Sequence, residues 1–194
     1  VFLGENGSGK TTLLRLIARL YKPTGGKIIQ YIDERFKQKP KGSRAWYKKV
    51  GVVYQNPDYQ LFMPTVRQEI SFGAKSEGYA AEIAEIFGVK HLWKRHPQSL
   101  SEGQKRRVSI AAVAACEPEV LLLDEPTVGQ DYEGLCTLVE MLNELHMQSG
   151  NTMITITHDV RCAEALCDRA YLIENGTVAK RGRKELAREY FSEL

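Results

Sequence analysis

Long apolar runs are scarce in this sequence. Although 43% of its 194 residues are hydrophobic, the longest clean run of large apolar residues is "VLLL" at 120–123, and the longest that admits alanine and cysteine is the seven of "IAAVAAC" at 110–116, far short of the roughly 20 residues a membrane-spanning helix needs. No stretch reads as a membrane span or a signal peptide. Cysteine is sparse as well: Cys116, Cys136, Cys162 and Cys167 form no CxxC pair and have no histidine at matching spacing. That argues for reduced thiols in a cytosolic protein over a disulfide or zinc framework. Charge of one sign is also lacking, since the net +3 is too small to point to nucleic acid by itself. The local basic cluster "KQKPKGSR" at 37–44 contains Pro and Gly and reads as a solvated loop. An initiator Met is missing too. The chain opens "VFLGENGSGK" on what reads as the last turn of a strand, as expected of a fragment or an incomplete reading frame.

What is present is an alternation. "VFL", a Gly-rich turn and "TTLLRLIARLY" read as strand, loop and helix, closed by "KPTGG". "KIIQYI" and "KVGVVYQ" are β-rich runs flanking the basic loop. From Asn56 to about Glu119 the pattern turns helical. Thr65 and Gln68 make a capping box before "VRQEISFGA", "YAAEIAEIFGV" follows, and "SLSEGQKRRVSIAAVAA" at 99–115 opens a third helix. Alternation then resumes with "VLLLDEP", a helix near 133–148, "NTMITITHD", a short helix around "RCAEALC", a hairpin turning at Asn175-Gly176, and a last helix near 185–191. Strands alternating with helices imply an α/β fold with a mostly parallel sheet covered on both faces. The expectation is one domain over 1–194, with a helical subdomain inserted at 56–119.

Two motifs carry chemistry. "GENGSGKT" at 4–11 fits GxxxxGK(S/T), with a strand before it and a helix after it. Its glycines let successive N–H groups face one centre, and the helix beginning near Lys10 adds positive potential there. Lys10 would reach the β- and γ-phosphates, and the Thr11 hydroxyl would ligate Mg²⁺. "VLLLDEP" delivers Asp124 and Glu125 from a buried strand to the crevice where α/β ligands bind. Asp124 can hold Mg²⁺ directly or through water, and Glu125 is placed to deprotonate an attacking water. Gln55, at the end of "VGVVYQ", could touch Mg²⁺ or that water. His158, at the end of "MITITH", could contact the γ-phosphate.

With these motifs in order, the whole chain resembles the ATP-binding-cassette family. The match comprises the P-loop at 4–11, the Q-loop at Gln55, the signature at 100–104, Walker B with Asp124 and Glu125, the D-loop "TVGQD" at 127–131, and the switch histidine His158. The resemblance implies a P-loop NTPase with a RecA-like core, binding ATP and Mg²⁺. Gly4, Glu5, Asn6, Gly7, Ser8, Gly9, Lys10, Thr11 and Thr12 would hold nucleotide, and Thr11, Gln55 and Asp124 the metal. Glu125, His158 and Gln55 would be catalytic. It implies a head-to-tail dimer in which each ATP lies between one P-loop and the partner's Ser101, Gly103 and Gln104. The family's adenine-stacking aromatic lies upstream of the P-loop. "YQNPDYQLF" and "TVGQD" more finely resemble the ATPases of energy-coupling-factor transporters, which import vitamins and transition-metal ions. In that group the region matching Asn56 to Phe62 helps form a groove for coupling helices of a transmembrane partner. The protein would then work on the cytoplasmic face of the membrane, with no nucleic-acid partner.

Alternatives follow from the same motifs. A chromosome-maintenance or DNA-repair ATPase would need a long coiled coil between Lys10 and Asp124, where no sustained heptads occur. A ribosome-binding factor would need a second cassette and a charged linker, and "QNPDYQ" counts against it. A non-hydrolysing regulatory module is disfavoured by Glu125.

One position departs from the family. Glu102 stands where the family usually has Gly, between Ser101 and Gly103. An acidic residue suits the first turn of a helix by about 0.3–1 kcal/mol. Arg106, four residues on, and Ser99, three residues back, are its expected partners. In that orientation it leaves Ser101 and Gly103 free for phosphate; facing the phosphate instead, it would repel it.

Overall fold

Three consecutive leucines, Leu121, Leu122 and Leu123, are wholly buried, yet they enter two different cores. Successive side chains of a strand point to opposite faces, so this run demands cover on both sides. The computed structural model, which describes residues 1–28 and 49–192, provides it. Its elements are β1 (Phe2–Leu3), α1 (Lys10–Ile17), β2 (Val50–Val53), α2 (Val66–Ser71), α3 (Glu77–Ile86), α4 (Glu102–Ala114), β3 (Val120–Asp124), α5 (Tyr132–Ser149), β4 (Thr152–Ile156), α6 (Val160–Leu166), β5 (Ala170–Glu174), β6 (Thr177–Gly182) and α7 (Lys184–Ser192). The expected strand "KIIQYI" beyond Ile28 and the basic loop at 37–44 lie outside the described residues.

The six strands form one sheet in the order β2-β3-β4-β1-β5-β6, parallel throughout except for the antiparallel β5–β6 pair. Leu122 packs with Phe2, Leu14, Ala18 and Ile156 beneath α1. Leu121 and Leu123 meet Ile110, Ala111, Leu138 and Leu142 of α4 and α5 on the other face. On α5 the buried residues Leu135, Leu138, Val139, Leu142 and Leu145 recur at helical spacing. The helices of the expected insertion belong to the same continuous cluster, since Val66, Ile70, Ile83 and Phe87 join Leu121 and Leu138 within it.

Local chemistry sets the element ends. The β5–β6 turn falls at Asn175 (φ 48°) and Gly176 (φ 76°), both left-handed, as the tightest hairpin turn requires. Thr65 accepts the Gln68 N–H at 3.2 Å, but the capping box expected there is only half made: Gln68 Oε1 accepts the Thr65 hydroxyl at 2.9 Å. The strand expected to run to Gln55 stops at Val53, because the Gln60 side chain takes the Tyr54 N–H at 2.9 Å and donates to the Val52 carbonyl at 2.8 Å. Likewise β4 ends at Ile156, two residues before His158. Among the described residues, no helix is long and apolar enough to cross a membrane.

Candidate functional site

Helix α1 differs at its start from the helices around it. Side chains of Thr65, Ser76, Ser101, Asp131 and Asp159 cap α2 to α6. By contrast α1 begins on Gly9, with no side-chain cap and no acidic residue in its first turn. Its leading N–H groups are therefore open to an external anion, with the helix dipole behind them. The loop that feeds it is held against the sheet. Gly4 (φ 137°) lies so close to β5 that a Cβ there would sit 2.2 Å from the Ile173 carbonyl oxygen.

Asn6, Gly7, Gly9, Lys10, Thr11 and Thr12 line a cavity of about 380 Å³ together with Gln55, Asp124, Glu125 and His158. The structure thus brings together at the strand ends the residues that the sequence pointed to. Gly4, Glu5 and Ser8 line an adjoining hollow of about 520 Å³ beside Tyr190, which shares Asn6 and Gly7 with the first. Ser101, Gly103 and Gln104 do not line the first cavity; they sit at the N-terminus of α4.

Within the cavity the polarity is ordered. Lys10 Nζ donates to the carbonyls of Gly4 (2.7 Å) and Glu5 (2.8 Å). Burial lowers its pKa, opposed by the charges of Glu125 and Asp124. The Thr11 hydroxyl donates to Asp124 Oδ1 at 3.4 Å. Burial raises Asp124 above the usual carboxylate value, with the Thr11 bond pulling it back. Glu125 occupies a left-handed backbone position (φ 50°), an uncommon conformation for a non-glycine residue. Its Oε2 accepts the His158 backbone N–H at 3.1 Å. Its Oε1 lies 3.3 Å from His158 Nε2, but without hydrogen-bond geometry, so this buried oxygen has no hydrogen-bond partner. Burial raises Glu125 too, and the His158 charge and N–H lower it. The donor set fits Mg²⁺: a hydroxyl, a carboxylate and an amide oxygen, from Thr11, Asp124 and Gln55, all open on one cavity.

Residues 1–128 match the ABC transporter family profile. The chain belongs to the ABC transporter family. It is 40% identical over 204 residues to an energy-coupling factor transporter ATP-binding protein, EcfA2, of Bacillus thuringiensis, covering 99% of this chain and 69% of the relative. It is 37% identical over 191 residues to EcfA of Methanoculleus marisnigri, covering 94% and 68%. Among solved structures, cbiO1 from Clostridium perfringens, part of the ABC transporter complex cbiONQ, superposes with a TM-score of 0.82 at 33% identity, over 99% of this chain and 78% of the other. A dimeric ATP-binding cassette in a post-hydrolysis state with ADP and Pi gives 0.76 at 27% identity, over 94% and 84%. The fold is that of a P-loop NTPase of this family.

Against the ABC family pattern, the expected partners of Glu102 need correction. Its carboxylate neither pairs with Arg106 nor caps back to Ser99; Oε1 lies 3.1 Å from Lys105 Nζ. Arg106 is unavailable because it is buried and spent on backbone, donating to the Tyr54 carbonyl at 3.0 Å and the Val128 carbonyl at 3.5 Å. The capping box is formed instead by Ser101 and Gln104: the Gln104 N–H donates to Ser101 Oγ at 3.4 Å and the Ser101 N–H to Gln104 Oε1 at 3.1 Å. Sequence reasoning missed Lys105 altogether and gave Arg106 the wrong partner. Their one signal is that three adjacent cations, Lys105 to Arg107, follow the signature on a helix whose next residues are core.

Proposed function

We propose that this ABC domain is the ATP-hydrolysing nucleotide-binding subunit of an energy-coupling-factor importer of vitamins or transition-metal ions. The observation that carries the reading is the buried Glu125 carboxylate: one oxygen is fixed by the His158 N–H, and the other is left without a hydrogen bond at the cavity of the P-loop. A carboxylate so placed accepts a proton from water. Lys10 and the amides of Gly4 to Thr12 bind and orient the phosphates, and His158 contacts the terminal one. Magnesium would be held by Thr11, Asp124 and Gln55 and would neutralise phosphate charge. Catalysis is then positioning and charge stabilisation, with proton transfer assigned to Glu125.

Ser101, Gly103 and Gln104 lie outside the cavity, which supports a role toward the nucleotide of a second such domain in a head-to-tail dimer. The transmembrane partner would dock beside Asn56 to Phe62. There Phe62 and Phe72 are both about two-thirds exposed, with their rings 5.4 Å apart. The protein would thus sit peripherally on the cytoplasmic membrane face. The test is Mg²⁺-dependent ATP hydrolysis: the wild type turns over, and Glu125→Gln loses about 100-fold or more in kcat while still binding ATP. Unchanged turnover in Glu125→Gln would remove the base.

A further inference from the structure

Gln55 is flanked by two anchors, and both come from the first two turns of α4. Ahead of it, the Tyr54 carbonyl accepts from Arg106 Nη1 at 3.0 Å. Behind it, Asp58 Oδ1 lies 2.9 Å from Lys105 Nζ. The Lys105 side chain is only 9% exposed, and Glu102 supplies its ammonium with a second carboxylate at 3.1 Å. The hydrogen bonds it donates to Asp58 and then Glu102 raise its pKa, so it stays charged.

We propose that Lys105 is a positioning residue: held between Asp58 and Glu102, it ties the 54–58 segment to the N-terminus of α4, so that the place of Gln55 at the nucleotide cavity follows the position of that helix. This rests on the reading of Gln55 as part of the ATP site. The segment does not need Lys105 for its own shape. Asn56 Oδ1 already accepts the Asp58 N–H at 2.9 Å, and Gln60 holds Tyr54 and Val52. What Lys105 adds is the link between that turn and the helix presenting Ser101 and Gly103. An exposed ion pair would contribute little. This one has a buried stem and two acceptors, and Arg106 reinforces it from the other side of Gln55. Glu102 thereby acquires a role in this chain: with its carboxylate on Lys105, it completes the tie.

Hydrogen exchange on the nucleotide-free protein and ATP hydrolysis kinetics together test this, using Lys105→Met, which keeps the stem, and Lys105→Arg, which keeps the charge. Lys105→Met is expected to speed exchange of the amides at 54–61 by about tenfold while leaving Leu121 to Leu123 unchanged. It should also lower kcat by about tenfold with KM for ATP within about twofold. Lys105→Arg should recover both. Unchanged exchange at 54–61, or an equal rise across β3, overturns the proposal, as does a loss expressed in KM alone. If the wild type hydrolyses no ATP, the functional reading fails, and the exchange result still decides this one.

Discussion

The backbone N–H of His158 donates to Glu125 Oε2 at 3.1 Å, so β4 and β3 jointly fix the carboxylate assigned as base. The sign of its pH dependence follows. Burial raises the Glu125 pKa above its ordinary 4.5, only partly offset by His158, and the active form is deprotonated. The acid limb of kcat/KM, which reports the free enzyme, is therefore expected above pH 4.5. The same shift makes ionisation cost stability as pH rises from that ordinary value through the folded one, because the unfolded chain releases the proton first. A kcat/KM profile on protein shown folded by circular dichroism checks this. A limb at or below 4.5 would contradict the burial argument.

Gly4→Ala tests the seat of the loop. The new Cβ would meet the Ile173 carbonyl at 2.2 Å, and φ is 137°, so backbone must move. A loss of about 1–3 kcal/mol is expected, read as a lower urea midpoint with unchanged slope. An unaltered midpoint would mean that β1 and β5 are not held this closely.

Glu102→Gly restores the family's usual residue. Since the Glu102 carboxylate lies on Lys105, and Asp58 still holds that lysine, ATP turnover is expected to change by less than about tenfold, or 1.4 kcal/mol in the barrier. A larger rise would place the carboxylate against phosphate.

Much of the fold was legible because it rests on local patterns. The apolar run at 120–123, the helical spacing of Leu135 to Leu145 and the Asn175-Gly176 turn each specify an element without distant information. Asp124 and Glu125 at the end of β3, and Gln55 and His158 two residues beyond β2 and β4, were legible by motif, and the cavity they share follows from parallel strands ending on one side. The rest depends on side-chain contacts that no spacing pattern encodes. Val53 ends β2 because Gln60 reaches back to Tyr54. Glu102 turns to Lys105 because Arg106 is drawn into the interior by the carbonyls of Tyr54 and Val128. Helical spacing alone favoured Arg106 as the partner, and it could not reveal that competition.

Asp131 gives a stability test away from the phosphate cavity. Its carboxylate accepts the Gly134 N–H at 2.8 Å at the start of α5. Asp131→Ala should cost about 1 kcal/mol, seen as a lower melting temperature. No change would show that the cap contributes nothing.

The most direct test is a crystal structure of the protein with Mg²⁺ and a non-hydrolysable ATP analogue. The triphosphate is expected against the uncapped first turn of α1, with Lys10 turned from the Gly4 and Glu5 carbonyls to the phosphates and the metal between Thr11 and Asp124. A triphosphate seated elsewhere, or a metal that shares no ligand with Thr11 and Asp124, would contradict the account.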